Sequence, residues 1–289
     1  MALRKLWSDM PRKNAERTMQ RLQRKTPKTP RGRESAPIPP APKPRAPGAQ
    51  AQAPSQTLAR GTQAQAIALL LEGVPRVVRS VRVLIVGASQ RGKTTFAKDF
   101  CFALGGARCA MVVFDQKFPD LIQYRGSIAS SVGQLRNELV KIAPTAICRA
   151  PLTCEDAATA VKDMAECGDR ATLLIDEITP ALKVNTSTGE PVERVWSGPS
   201  LVWMCLQGGG LGASLVQLCQ LPRMVPGSLV DNATAYVFFG TGGRSLAYSV
   251  DDLRIVPREA KDVVAGLAVG ECCIFFPDRD WNRTIYGPQ

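Results

Sequence analysis

The sequence lacks two features that commonly build metal and acid–base sites. None of its 289 residues is histidine, which excludes every mechanism that depends on a histidine base, ligand or proton relay. It has nine cysteines but no Cys-x-x-Cys pair, and the neighbouring Cys272 and Cys273 should point to opposite faces of a strand. Because several others, among them Cys109, Cys148 and Cys219, lie in apolar runs typical of strands, we expect buried, reduced thiols of a cytosolic protein.

Signals for secretion or membrane insertion are also missing. The start of the chain lacks the apolar core of a signal peptide, which predicts a protein retained in the cytosol. Leu201 to Pro222 contains no charged residue over 22 positions, a length that could span a bilayer. Three glutamines and the triplet Gly208–Gly210 interrupt it, so we expect a helix, a glycine turn and a buried strand at Ser214–Leu218 instead.

Positive charge is concentrated at one end of the chain. Residues 1–60 hold 14 lysines and arginines against 3 acidic residues, which accounts for 11 of the 12 net positive charges. The same segment holds 10 of the 22 prolines, and residues 27–54 have almost no large apolar side chain. Such a segment cannot bury a core, so we expect a disordered basic tail over residues 1–60 and a folded domain over residues 61–289. The tail would suit DNA, an acidic partner protein or an anionic membrane, or it has no fixed partner.

The most informative motif is the octapeptide GASQRGKT at residues 87–94. It matches Gly-x-x-x-x-Gly-Lys-Thr, the phosphate-binding loop of nucleoside triphosphatases, and it lies between a predicted strand and a predicted helix. Gly87 and Gly92 allow a tight turn whose N–H groups face phosphate oxygens, at a helix N-terminus that favours anions. Lys93 would reach the β- and γ-phosphates, and the Thr94 hydroxyl would ligate Mg²⁺. The predicted ATP-binding residues are Gly87, Ala88, Ser89, Gln90, Arg91, Gly92, Lys93, Thr94 and Thr95.

A pair of carboxylates ends the apolar stretch TLLIDE at residues 172–177. A carboxylate at the C-terminal end of such a strand would hold the Mg²⁺ shell, which makes Asp176 the second predicted metal ligand. Glu177 can polarise a water molecule for attack on the γ-phosphate, so we predict it to be the catalytic base. The pair favours hydrolysis over transfer to a small acceptor, and the absence of an Asn-Lys-x-Asp guanine-reading signature argues against a GTPase.

Hydrophobic periodicity predicts alternating strands and helices in the body of the chain. Predicted strands lie at Val81–Val86, Ala110–Phe114, Ala146–Arg149, Thr172–Ile175, Ser214–Leu218, Ala235–Phe239 and Glu271–Phe275. Predicted helices lie at Gln63–Leu71, Thr94–Ala103, Val132–Ile142, Glu155–Cys167, Val195–Leu206 and Arg258–Ala265. This alternation indicates an α/β domain with a mostly parallel sheet and helices on both faces.

Two further stretches, FDQKFPDL at residues 114–121 and QLPRMVP at residues 220–226, resemble motifs of the HerA/FtsK superfamily of DNA-pumping ATPases. The sequence FDQKFPDL at residues 114–121 is similar to the Asp-x-Lys motif after the second strand of that family. The sequence QLPRMVP at residues 220–226 is similar to the Gln-x-Pro-x-x-Val-Pro pattern after its fifth core strand. The resemblance covers roughly residues 80–276. Among relatives, the chain looks most like the genome-packaging ATPases of membrane-containing, tailless phages and viruses.

The resemblance implies a RecA-like (ASCE) P-loop NTPase fold and an ATPase that drives double-stranded DNA into a preformed capsid. It implies that Gln220 is a catalytic residue that senses the γ-phosphate. It also implies that the subunits form a homo-oligomeric ring, expected to be a hexamer. It places the protein in the host cytoplasm or at the packaging vertex of the virion, where the tail could dock on capsid or membrane proteins. An arginine from a neighbouring subunit would complete each site, and the candidates are Arg170, Arg194, Arg223 and Arg244.

Two alternatives stay open at this stage. A relative could export filamentous-phage or plasmid DNA at a membrane, although such relatives usually carry a transmembrane anchor that is not evident in this sequence. A P-loop ATPase of another class, such as a regulatory ATPase, or a P-loop kinase would not be stimulated by duplex DNA.

Overall fold

A ten-stranded sheet forms the centre of the fold. The computed structural model describes residues 58–72, 80–105, 110–114, 126–139, 141, 145–148, 152–176, 198–225 and 227–288. The strands are β1 (Ala59–Thr62), β2 (Arg82–Val86), β3 (Ala110–Phe114), β4 (Ser127–Ala129), β5 (Thr145–Cys148), β6 (Ala171–Ile175), β7 (Ala213–Cys219), β8 (Ala235–Phe239), β9 (Cys272–Phe275) and β10 (Thr284–Gly287).

Eight α-helices are found in the part of the chain that the structure describes. They are α1 (Gln63–Glu72), α2 (Lys93–Gly105), α3 (Val132–Leu139), α4 (Cys154–Glu166), α5 (Pro199–Leu206), α6 (Gly227–Asp231), α7 (Gly243–Ala247) and α8 (Lys261–Gly266). Short 3₁₀ turns at Gly208–Leu211, Pro222–Met224 and Arg258–Ala260 and a π turn at Tyr248–Asp252 complete the set.

The sheet is mostly parallel, with strand order β1-β10-β9-β8-β2-β7-β6-β3-β5-β4. The exception is β9, which runs antiparallel to both β8 and β10. The central strand β2 pairs with β7 on one side and with β8 on the other, and β7 separates β2 from β6. The carboxyl ends of β2, β3, β6, β7 and β8 therefore meet along one edge of the sheet, named here the carboxyl edge. The architecture confirms the predicted α/β fold of the RecA-like P-loop class.

Alternate side chains of β2 pack into two separate hydrophobic layers on opposite faces of the sheet. On one face, Val83 and Ile85 belong to a buried cluster with Phe96 and Phe100 of α2. On the other face, Leu84 and Val86 join a second buried cluster, to which α4 and α5 contribute. A fully buried Phe or Leu contributes roughly 1.5–3 kcal/mol relative to an exposed one, so both layers stabilise the sheet substantially. Helices cover both faces, as the alternating pattern predicts.

Local polar contacts set the start of two helices on the second face. The Thr153 hydroxyl accepts a hydrogen bond from the Asp156 N–H, and the Asp156 carboxylate accepts one from the Thr153 N–H, which forms a capping box at α4. The Glu155 carboxylate accepts the N–H groups of Ser200 and Leu201 at 2.7 and 3.1 Å, so it caps α5 from a neighbouring helix. A residue of α4 therefore fixes where α5 begins.

The structure adds edge elements that the sequence pattern does not reveal. Strands β1, β4 and β10 have four, three and four residues, too few to show a reliable period of two. Strand β1 pairs in parallel with β10 and includes Ala59 and Arg60, which the sequence analysis assigns to the tail. Those two residues therefore belong to the sheet and not to the tail.

The uncharged stretch at residues 201–222 folds as expected, into the end of α5, a glycine-rich 3₁₀ turn and the fully buried strand β7. Within the described residues, no helix combines the length and apolar character needed to cross a bilayer.

Most described cysteines are buried, as the apolar runs predict. Cys148, Cys219, Cys272 and Cys273 are at most 1% exposed, whereas Cys109 lies outside the described residues. Cys272 and Cys273 belong to the opposite hydrophobic layers, which confirms that they face away from each other. Burial raises the pKa of the Cys148 and Cys273 thiols to about 12, so these groups stay protonated near neutral pH.

We expect Phe100→Ala to lower the free energy of unfolding by about 3–5 kcal/mol, because it removes a fully buried ring and leaves a cavity. Phe102→Ala, on the same helix but at a side chain that is 48% exposed, should change it by about 0.5 kcal/mol at most. Urea unfolding followed by circular dichroism measures both. Equal losses in the two variants would contradict the assignment of Phe100 to the core.

Candidate nucleotide-binding site

The predicted phosphate loop lies at the carboxyl edge, between β2 and α2. Its first residues are tied to the sheet, because the Gly87 N–H donates to the Cys219 carbonyl and the Ala88 N–H donates to the Gly240 carbonyl, each at 3.2 Å. A Cβ on Gly87 would lie 2.7 Å from the Cβ of Phe239. Only glycine therefore fits at this position, where β8 packs against the start of the loop.

The second half of the loop turns sharply into the helix. Gln90 and Gly92 have φ angles of +58° and +97°, in the left-handed region. The Phe96 N–H donates to the Gly92 carbonyl at 3.0 Å, which closes the first turn of α2. Because the N–H groups of Gly87 and Ala88 are already bonded to the sheet, the loop groups that could bind a phosphate start at Ser89. The assignment of the nine loop residues to ATP binding stays a prediction.

Lys93 is the buried cation of the loop, with 7% of its surface exposed. Its ammonium group donates to the carbonyl oxygens of Gly87 and Ala88 at 2.9 and 2.8 Å. These bonds hold a positive charge against the loop backbone, and the contact of Lys93 with the β- and γ-phosphates stays a prediction. A buried ammonium needs such acceptors, because removing an ion from water without them costs several kcal/mol.

Thr94 and Asp176 come together as the sequence predicts. The Thr94 hydroxyl donates to the Asp176 carboxylate at 3.4 Å, although the two residues lie 82 positions apart. Asp176 directly follows β6, and its N–H extends the ladder by donating to the Phe114 carbonyl at 3.0 Å. A hydroxyl and a carboxylate are the hard oxygen ligands that suit Mg²⁺. The pair therefore fits the predicted metal site.

Of the two other predicted catalytic residues, the one that the structure describes lies at the same edge. Gln220 is half-buried and directly follows β7, the strand between the phosphate loop and Asp176. Glu177 lies outside the described residues, as do Asp115 and Lys117 of the Asp-x-Lys stretch. The structure thus brings Lys93, Thr94, Asp176 and Gln220 to one edge, and the role of Glu177 stays a prediction.

The candidate arginines that the structure describes lie at two opposite edges of the sheet. Arg170 precedes β6 and lies at the amino edge of the sheet, opposite the phosphate loop. Arg223 and Arg244 follow β7 and β8 at the carboxyl edge, and both are exposed. Arg194 lies outside the described residues.

Sequence reasoning missed a turn that supports the phosphate loop from the β8–β9 connection. This bracing turn, Leu267–Glu271, receives a hydrogen bond from the Arg91 guanidinium at the Leu267 carbonyl, at 3.2 Å. The Gly270 N–H donates in return to the Arg91 carbonyl at 3.1 Å. Gly270 has a φ angle of +86°, so a glycine before the last predicted strand was the available signal.

We expect Gly87→Ala to destabilise the protein by about 1–3 kcal/mol, because the new methyl group overlaps Phe239 and forces the loop away from β8. Gly210→Ala is the matched control, since a Cβ there meets nothing within 4 Å. Thermal unfolding without nucleotide compares the two variants. A Gly87→Ala protein as stable as the control would show that the loop does not pack on β8 as described.

Comparisons with known proteins support this fold. No protein-family model and no curated protein matches the chain. It is similar to the genome packaging NTPase B204 from Sulfolobus turreted icosahedral virus 2: the structure in complex with AMPPCP has a TM-score of 0.56, with 16% sequence identity over 73% of this chain and 99% of that one. The same NTPase in complex with ATP-gammaS gives a TM-score of 0.57, with 15% identity over 73% of this chain and 98% of that one.

The DNA-packaging ATPase B204 from Sulfolobus turreted icosahedral virus is also similar, with a TM-score of 0.54 and 15% identity over 72% of this chain and 97% of that one. At these identities the likeness establishes the fold. The chain therefore has the P-loop ATPase fold found in these viral packaging enzymes, as its sequence motifs predict.

Proposed function

We propose that this chain is an ATP-driven DNA translocase that packages a double-stranded DNA genome into a preformed viral or phage capsid. The observation that carries the proposal is the contact between Thr94 and Asp176 beside the phosphate loop, because it joins two distant motifs into one Mg²⁺-nucleotide site. The QLPRMVP stretch after β7 and the fold shared with viral packaging NTPases support the packaging role.

The predicted site residues have distinct roles in the proposed ATPase. Backbone N–H groups from Ser89 onward and the Lys93 ammonium bind the phosphates of ATP. Thr94 and Asp176 would hold Mg²⁺, and the ion would neutralise developing charge on the phosphate oxygens. Glu177 orients or deprotonates the attacking water, and Gln220 reports whether the γ-phosphate is present.

Ring assembly would complete the site. An arginine from the adjacent subunit stabilises the charge of the transition state, and such residues contribute about 10³–10⁵ in rate in other P-loop enzymes. Arg223 and Arg244 are the favoured candidates, because both are exposed at the carboxyl edge. A ring, which we propose to be a hexamer, also provides a pore through which DNA passes.

The net charge differs between residues 61–289 and residues 1–60, and we assign the two segments different roles. Residues 61–289 carry a net charge of only +1, which suits a motor that must grip DNA and release it in each cycle. Residues 1–60 carry +11, so they are the segment that would bind an acidic partner such as duplex DNA, a capsid vertex or membrane proteins.

Measuring ATP hydrolysis with and without duplex DNA, together with the mass in solution, tests the proposal: DNA-stimulated hydrolysis by an oligomer is expected. A monomer whose ATPase ignores DNA would overturn it.

We expect Lys93→Ala to weaken ATP binding by roughly 10–100-fold, because it removes the charge that faces the β- and γ-phosphates. Glu177→Gln should bind ATP normally and reduce kcat by about 10²–10⁴-fold, since the amide cannot activate water. Equilibrium binding and steady-state kinetics separate the two effects. Hydrolysis at the wild-type rate by Glu177→Gln would show that another group activates the water.

We expect Gln220→Ala to keep ATP affinity within about threefold but to lose most of the stimulation by DNA. The reason is its place at the end of β7, where an amide can bond to water or γ-phosphate and move the loop that follows. Parallel measurements of nucleotide affinity and of hydrolysis with increasing duplex DNA provide the comparison. Full DNA stimulation in this variant would reduce Gln220 to a structural residue.

A further inference from the structure

The bracing turn contacts the phosphate loop at three points. The Arg91 carbonyl accepts the Gly270 N–H at 3.1 Å, and the Arg91 guanidinium donates to the Leu267 carbonyl at 3.2 Å. A Cβ on Gly92 would lie 3.3 Å from the Cα of Gly270, so the two backbones are in close contact. Gly240 also packs closely against the bracing turn, because a Cβ there would lie 2.8 Å from the Leu267 carbonyl oxygen. The turn is therefore packed against the loop along its backbone.

The hydrogen bond to Arg91 orients a phosphate-binding group. The Arg91 carbonyl and the Gly92 N–H belong to one planar trans peptide, in which the two groups point in opposite directions. Because Gly270 holds the carbonyl on the side of the bracing turn, the Gly92 N–H points away from that turn. A shift of the turn would rotate this peptide and misalign an N–H of the loop.

Glu271 fixes the shape of the bracing turn. Its carboxylate accepts the Ala268 N–H at 2.9 Å, and its own N–H donates to the Ala268 carbonyl at 3.1 Å. The Ala268 N–H and the Arg60 guanidinium both stabilise the ionised form, so the pKa of Glu271 lies below its usual value. The side chain is therefore a carboxylate at neutral pH and keeps both interactions.

The same carboxylate reaches the edge of the sheet. The Arg60 guanidinium donates to it at 2.6 Å, from β1. Glu271 is only 17% exposed, whereas Arg60 is 74% exposed. The Glu271 end of the ion pair is thus largely buried, and the Arg60 end lies on β1, the first described strand.

We propose that Glu271 and Arg60 are positioning residues for ATP binding: their ion pair holds the bracing turn against the phosphate loop and couples the start of β1 to nucleotide affinity. The inference rests on the proposed nucleotide function. It assigns a role to three elements that the ATPase cycle leaves unused, namely β1, the bracing turn and the side chain of Arg91. The contact with nucleotide stays with the loop, and the ion pair acts through it.

The test is the affinity of the full-length chain for ATP-gammaS with Mg²⁺, measured by calorimetry. We expect Arg60→Gln to raise the Kd about three- to fivefold, as loss of a partly exposed ion pair predicts. Glu271→Ala should raise it about tenfold, because it also removes the acceptor of the Ala268 N–H. Arg60→Lys keeps the charge and should restore the wild-type Kd within about twofold. In steady-state assays the KM for ATP should rise while kcat at saturating ATP stays nearly constant, which a general loss of structure would not produce.

Arg136→Gln is the matched control, because it breaks another exposed ion pair, with Asp163, far along the chain from the loop. It should leave the Kd unchanged. If the wild type binds ATP-gammaS and both Arg60→Gln and Glu271→Ala bind it equally well, the positioning role is wrong and the proposed function stands. If the wild type does not bind ATP-gammaS at millimolar concentration, the proposed function fails and this inference fails with it. Should Glu271→Ala not fold, Arg60→Gln alone decides, since its side chain is largely exposed.

Discussion

Two backbone hydrogen bonds, from Gly87 and Ala88 to the ends of β7 and β8, fix the phosphate loop to the sheet. The rest of the site depends on them, because they determine which N–H groups of the loop stay available for phosphate. They also require that β7 and β8 flank β2, which is the strand order observed. The contact between Gly87 and Phe239 adds a steric condition, since it leaves no space for a side chain. The glycine of the motif thus serves the packing of the sheet as well as the turn.

Charge acts at two different ranges in this protein. In the site, the Lys93 ammonium is buried against carbonyl oxygens at 2.8–2.9 Å, where dissolved salt screens it little. The net positive charge of the chain lies almost entirely in residues 1–60, a segment that the sequence predicts to be a disordered tail, and salt at physiological concentration screens solvent-exposed charges over about 8–10 Å. For the proposed function, nucleotide binding and binding of an acidic partner are therefore expected to respond to ionic strength to very different degrees.

The central strands and the contact between Thr94 and Asp176 were largely predictable, and the edges of the sheet were not. Strands such as Ala110–Phe114 and Ala235–Phe239 are continuous apolar runs, since helices bury both of their faces, and their predicted bounds match the structure. The pairing of Thr94 with Asp176 followed from two motifs with known chemistry. In contrast, β1 reads ARGT, and its place is fixed by pairing with β10, a partner more than 200 residues away. The support of Arg91 by the bracing turn is likewise a tertiary contact without a local pattern, and the role of Glu177 stays a prediction.

The pairing of β1 with β10 has a consequence for synthesis on the ribosome. Ala59 pairs with Thr284, so the first described strand can join the sheet only after nearly all of the described chain has been made. Contacts between such distant residues form late, because a long loop must close before they contribute. Translation at about 5–20 residues per second would leave β1 unpaired for roughly ten seconds or more while the central strands are completed. During that interval its backbone groups are open to other strands, so nascent chains at high local concentration can pair wrongly at β1.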